Sequence, residues 1–228
     1  MLDKIKVIFT IMQMMITVTI LIISIYISKR SSRKIRTIWS KLQLKWLGIE
    51  LETKGKLDPE ANMLLMNHQS LLDIIVLEAL HQRDLAWVAK KEIGDIPWFG
   101  HILKAPDMIM VQRESKSSLI KLIKDVKEKL DNNRTIAIFP EGTRTNGKKM
   151  RKFKAGSKII AEKYNLKVQP IVLVGTRAIL DTQNMKQKAG KVTIVYLPTI
   201  TAEKKTTWYQ DTEESMNNIL NMELKNDI

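Results

Sequence analysis

The sequence predicts an α/β fold: a mixed central sheet with flanking helices, preceded by an N-terminal two-helix membrane-anchoring motif. Three observations predict it. From residue 48 onward, short apolar runs of strand length alternate with longer segments of helical periodicity. Before them lies an apolar stretch without a charge, Val7 to Ser28. The chain has 228 residues, 44% of them hydrophobic and 27% charged, enough for one domain with a substantial core and an appendage. The boundary falls after residue 47, giving an anchor over 1–47 and a globular α/β domain over 48–228.

Each element follows in order. About 20 apolar residues at a rise of about 1.5 Å cross a hydrocarbon core, so Val7–Ser28 is read as a membrane helix. A cleaved leader is the plainer alternative, but the run is long for one and lacks a small-residue cleavage pattern. Whether the helix spans the bilayer or stays in one leaflet is left open by its length. KRSSRKIR follows with five basic side chains, which keeps it and all that comes after on the cytoplasmic side of the cell (inner) membrane. In residues 35–47, Ile35, Ile38, Trp39, Leu42 and Trp46 keep helical spacing while Arg36, Ser40, Lys41 and Gln43 fall elsewhere. That pattern suits a helix lying in the membrane interface, or equally one packed on the domain.

Gly48 stops this helix, and GIELETKGK reads as a strand turning at Gly55. NMLLM is a buried strand, 70–82 a helix, LAWVAK a strand, and 94–107 a Gly- and Pro-broken loop with a short helix. MIMVQ is a strand. Residues 118–130 form a helix with Leu119, Ile120, Ile123, Val126 and Leu130 on one face. TIAIF, VQPIVLVG and KVTIVYL are strands, 155–165 is a helix, and a last helix closes the chain.

Net charge is +14, which favours anionic partners such as membrane lipid headgroups, nucleic acid or phosphorylated molecules. The chain has no cysteine, which excludes disulfides, thiolate catalysis and cysteine–zinc sites. Three histidines without a close pair argue against a multi-histidine metal site.

The chemistry concentrates in two short stretches. The first is NHQSLLD, residues 67–73. On a continuous helix His68 and Asp73 would stand about 140° apart and could not meet. They meet if His68 lies in the turn before the helix and Asp73 on its first turn. Ser70 is a candidate N-cap with Asp73 three places on, so the plainer reading is a capping box. The functional reading is an oriented base: a carboxylate holds one imidazole nitrogen and frees the other to take a proton. The nucleophilic hydroxyl then comes with the substrate.

The second stretch is FPEGTR, 139–144, at the end of the strand TIAIF. Gly142 permits positive φ or close approach, and the Arg144 fork suits phosphate. The plainer reading is a polar turn with Glu141 and Arg144 as a surface ion pair. Arg113 closes another strand and is aimed at the same anion. GKKMRKFKAGSK, 147–158, adds six basic residues, either solvated or drawing in a phosphorylated ligand, an acidic carrier protein or anionic lipid.

NHQSLLD resembles the Asn-His-four residues-Asp motif of the glycerolipid acyltransferases, and FPEGTR resembles their third motif. Order and spacing are similar to the 1-acylglycerol-3-phosphate acyltransferases. KKEIGDIPWFGHILKAPDMIMVQR resembles their second region and VQPIVLVG their fourth, so the likeness runs from about residue 34 to 200. The resemblance implies His68 as general base and Asp73 as its orienting carboxylate. It implies an acceptor-binding motif at Glu141, Gly142, Thr143 and Arg144, with Arg144, Arg113 and Lys90 on the phosphate. It implies lysophosphatidate as acceptor, acyl-CoA or acyl carrier protein as donor, and no cofactor, metal or nucleic acid. Gln112 and Asp107 depart from the family's usual Asp and Gly, which leaves the lysolipid open. Rival expectations are an acyltransferase acting on glycerol 3-phosphate or another lysolipid, a basic lipid-binding membrane protein without chemistry, and a thioester hydrolase.

Overall fold

The computed structural model describes residues 2–112 and 116–226. Helix α1 (Leu2–Ile27) turns through a short 3-10 segment into α2 (Ser32–Trp46). There follow β1 (Ile49–Lys54), β2 (Met63–Met66), α3 (Leu72–Leu80) and β3 (Leu85–Lys90). The short helices α4 (Lys91–Gly94) and α5 (His101–Lys104) lead to β4 (Ile109–Val111), α6 (Lys116–Asp131) and β5 (Thr135–Ile138). Then come α7 (Ala155–Lys163), β6 (Lys167–Val174), α8 (Thr176–Ile179), the small hairpin β7 (Leu180–Asp181) and β8 (Lys186–Gln187), β9 (Gly190–Tyr196), β10 (Ile200–Thr201) and α9 (Trp208–Asn226).

The sheet order is β1-β9-β6-β2-β5-β3-β4, with β10 also pairing β6. Strands β6, β2, β5, β3 and β4 run parallel, while β9 is antiparallel to β6. The expected mixed sheet with flanking helices is therefore the architecture. Alternate residues of each strand feed two cores. Leu64, Met66, Trp87, Ala137, Ile171 and Leu173 pack under α3. Met63, Leu65, Ala86, Ile136, Ile138 and Val168 pack under α6, α7 and α9. Covering both faces explains why these strands read as unbroken apolar runs. From β2 the chain crosses to β3, and from β5 it crosses the other way to β6. This reversal opens a crevice beyond the carboxyl ends of β2 and β5.

One expected face is corrected, and one left open by the sequence is described. In α6, Ile120 is 72% exposed, and Leu122 and Val126 are buried apolar residues. Val126 keeps its expected inward place and Leu119 and Leu130 pack against the same core, while Leu122 stands there in place of Ile120. In α2 the polar residues point inward: Arg36, Ser40 and Gln43 are buried, while Ile38, Leu42 and Trp46 are exposed. The reason is pairing. Arg36 meets Glu78 and Asp84, and Gln43 donates to the Thr17 hydroxyl at 3.2 Å. Ile38, Leu42 and Trp46 of the α2 stripe thus lie outward, Ile35 and Trp39 pack against buried clusters, and the Trp46 ring stands 6.4 Å from Phe9 of α1. Helix α1 also turns Ile5, Ile8, Phe9, Met12, Ile16 and Ile20 outward. Its segment Lys4–Ile27 is long and apolar enough to cross a membrane.

Candidate active site

The geometry begins where β2 stops. Asn67, the first residue past the strand, is 1% exposed and spends its side-chain amide on β6. Its Nδ2 donates to the Leu173 carbonyl at 2.9 Å, and its Oδ1 accepts from the Leu173 N–H at 2.7 Å. Gln69 Nε2 donates to the same carbonyl at 3.0 Å. Between these two anchors the His68 side chain is left free to face the crevice, 16% exposed.

His68 Nδ1 lies 2.7 Å from Asp73 Oδ2. The turn before α3 brings them together, as the spacing requires. Asp73 is fully buried. Its Oδ2 also accepts from the backbone N–H of Gln69 (2.7 Å) and Ser70 (2.9 Å), while Oδ1 accepts from the Thr176 hydroxyl at 2.5 Å. A buried carboxylate is tolerated when its lone pairs are satisfied in this way. The expected capping box is only half formed: Asp73 accepts from Ser70 N, but α3 begins after Leu71 and the Ser70 hydroxyl does not meet Asp73 N. The Ser70 hydroxyl reaches back only weakly, accepting from Leu72 N at 3.4 Å, and donates instead to the Leu180 carbonyl at 2.9 Å. With Nδ1–H held by Asp73, His68 Nε2 is left as the acceptor. It has no hydrogen-bond partner among the described residues.

The loop after β5 closes the other side. Gly142 has φ +74, a conformation that favours glycine, and it turns Thr143 and Arg144 out to solvent. Arg144 has no ion-pair partner among the described residues. The Glu141 side chain is held inside the loop: it is 1% exposed and both its oxygens are occupied. Oε1 accepts from His68 N at 2.7 Å and Oε2 from Arg151 N at 2.6 Å. It ties the His68 turn to the basic loop and is no surface partner of Arg144. Burial pushes its pKa up to about 7, against the lowering by those two N–H groups. Thr145 adds a second tie, donating its N–H to the His68 carbonyl at 2.8 Å.

Lys90 stands at the end of β3, half exposed and 2.9 Å from Glu92. Arg113 lies outside the described residues. Asp107 has φ +57, which accounts for a glycine-favouring position, and its carboxylate meets Lys129 Nζ at 2.5 Å. Gln112 lines a cavity of about 460 Å³ beside the loop, walled by Val88, Val111, Leu119, Leu122 and Phe139.

Sequence reasoning passed over Thr176 and Arg177. Arg177 donates to the Thr145 carbonyl at 3.0 Å and pairs with Asp181. Gly175-Thr176-Arg177 thus joins both halves of the site. The available signal was a second Gly-Thr-Arg at the end of a sheet strand.

Fold and site together have the form of an α/β enzyme whose His–Asp pair opens on a cationic mouth. The chain belongs to the acyltransferase family: the model described as Acyltransferase matches residues 48–174. A protein of Helicobacter pylori named 1-acyl-sn-glycerol-3-phosphate acyltransferase is 43% identical over 189 residues, covering 82% of this chain and 78% of the relative. A Cocos nucifera protein of the same name is 31% identical over 69% of this chain, which spans half the relative's length. A Rhizobium meliloti lyso-ornithine lipid O-acyltransferase is 26% identical over 61% of this chain and 48% of its own. The crystal structure of the 1-acyl-sn-glycerophosphate acyltransferase of Thermotoga maritima superposes with a TM-score of 0.76 at 23% identity, over 98% of this chain and 95% of that one, a likeness of fold.

Proposed function

We propose that this enzyme transfers a fatty acyl group from a thioester donor, acyl-CoA or acyl carrier protein, to the sn-2 hydroxyl of 1-acyl-sn-glycerol 3-phosphate. One observation carries the reading: the His68 Nδ1 contact with buried Asp73, which leaves Nε2 open toward the crevice. Nε2 takes the hydroxyl proton as the oxygen attacks the thioester carbonyl. The C–O bond forms, the tetrahedral adduct collapses, the C–S bond breaks, and the proton passes from Nε2 to the leaving thiolate. A base so placed supplies on the order of 10²–10⁴-fold. Arg144 meets the acceptor phosphate, joined by Arg113 and Lys90, and turns that binding into proximity. The apolar cavity beside Phe139 offers room for a fatty chain.

Residues 1–47 act as the membrane anchor of the domain at 48–228. The outward apolar faces of α1 and α2 support this reading. The basic segment after α1 supports a cytoplasmic catalytic domain on the inner membrane.

The test is mass spectrometry of products from purified protein given lysophosphatidate and mixed acyl donors. Phosphatidate formed with thiol release is expected. Thiol release without an acceptor would make the protein a hydrolase. Acylation of a lyso-ornithine lipid in preference to lysophosphatidate would move it toward the Rhizobium relative.

A further inference from the structure

The Asp73 contact fixes one nitrogen of the imidazole, and the ring's plane is held from elsewhere. The face of His68 lies on the Phe139 ring, centroids 3.8 Å apart and planes 11° from parallel. Phe139 stacks in turn on Trp87, at 5.5 Å and 25°. The Trp87 indole Nε1 donates to Glu78 Oε1 at 2.7 Å. The same oxygen accepts from the Arg36 guanidinium, whose other arm pairs with Asp84. Trp87, Glu78 and Arg36 are 5%, 7% and 5% exposed. Burial pushes the Glu78 carboxyl up, and Arg36 is the first of the groups that oppose it. An unbroken run of contacts therefore leads from helix α2 to the imidazole.

We propose that Phe139 and Trp87 are positioning residues for His68, and that helix α2 sets their stack through Arg36 and Glu78. This deepens the acyl-transfer reading, which supplies the role of His68. The stack does two things. It fixes the tilt of the ring, so that Nε2 points at one place along the crevice. It also lays an electron-rich face against the imidazolium that forms as the hydroxyl proton is taken. A chain of contacts is evidence of adjacency, and coupling has to be measured along it.

The experiment uses the full chain in detergent, labelled with ¹³C-histidine. There are three histidines, and the signal lost in His68→Gln is that of His68. Ring current from Phe139 places the His68 ring protons upfield. Phe139→Leu moves them downfield, Phe139→Tyr leaves them in place, and Trp87→Phe and Arg36→Met move them part of the way. In the transfer assay, Phe139→Leu lowers kcat about tenfold, and Phe139→Tyr, which keeps the stack, retains it. The Arg36→Met/Trp87→Phe double variant is no slower than the worse single one, because Arg36 reaches the stack through Glu78 and Trp87. Should Arg36→Met fail to fold, Trp87→Phe carries the test, since it keeps the ring and the Arg36–Glu78 pair. Unmoved His68 signals in Phe139→Leu, or in Trp87→Phe, overturn the proposal, and so do additive kinetic effects. A wild-type protein that transfers no acyl group overturns the acyl-transfer reading and leaves the resonance test standing.

Discussion

The triplet Gly-Thr-Arg occurs twice, at 142–144 and at 175–177, each time just past a strand of the sheet. Both glycines have positive φ, +74 and +91. There the likeness ends. Thr143 and Arg144 are exposed, and Arg144 is without an ion partner among the described residues. Thr176 is fully buried on Asp73, and Arg177 is bound to Thr145, Asp181 and Gln183. At Gly175 a Cβ would meet the Lys191 carbonyl oxygen at 2.5 Å, so that turn is packed against the neighbouring strand. One triplet is arranged to meet a ligand and the other to hold the groups that meet it. The same three residues take opposite roles because one loop leaves the sheet into solvent and the other is folded back over the carboxyl end of β2.

That contrast can be broken at four points. The largest effect falls on the base that both triplets serve: His68→Ala should lower acyl transfer by about 10²–10⁴-fold in kcat, measured on folded protein. Next is the outward triplet. Arg144→Ala should cost about 10–100-fold in kcat/KM for lysophosphatidate, the range of a charge-assisted hydrogen bond, and leave stability alone. An unaltered kcat/KM would remove Arg144 from the site. The inward triplet should respond in the opposite currency. Thr176→Val leaves a buried carboxylate oxygen without its donor, a loss of about 1–3 kcal/mol that thermal unfolding reads directly. Thr176→Ser should restore it. Smallest is Thr143→Val, expected within about 0.5 kcal/mol of wild type in stability. If Thr143→Val and Thr176→Val destabilise alike, the distinction between the triplets is wrong.

Glu141, between the two, gives a pH signature. Its folded pKa is raised from the ordinary 4.5 to about 7, so the folded state binds the proton more tightly. The resulting stability is fully present below the unfolded value and is lost as pH rises through about 7. The stability of wild type relative to Glu141→Gln should therefore be greater at pH 5 than at pH 8, measured by denaturant unfolding.

Most of the sheet was legible because both faces are covered: MLLM, TIAI and VQPIVLV carry no polar alternation that another element could satisfy. His68 and Asp73 were legible because their spacing admits one meeting geometry. The face of α2 was not, because periodicity locates an apolar stripe without saying what covers it. Arg36 goes inward only because Glu78 and Asp84, more than forty residues later in sequence, wait for it. Thr176 was missed for the same reason, since its partner lies 103 residues earlier. The surface-pair reading of Glu141 failed because a charged residue in a polar turn is ordinarily solvated, and here it is buried with a backbone amide on each oxygen.

The Asn67 side chain has a consequence of its own. By matching both the donor and the acceptor of Leu173, it carries the ladder one rung past the point where the main chain of β2 departs. The polypeptide can thus swing away at once, and the sheet loses nothing at that rung. Only a carboxamide offers that two-way match; aspartate would set an oxygen against the Leu173 carbonyl, and a hydrophobic residue would leave the Leu173 N–H bare. The tight bend that presents the histidine is, in this sense, permitted by its neighbour's impersonation of backbone.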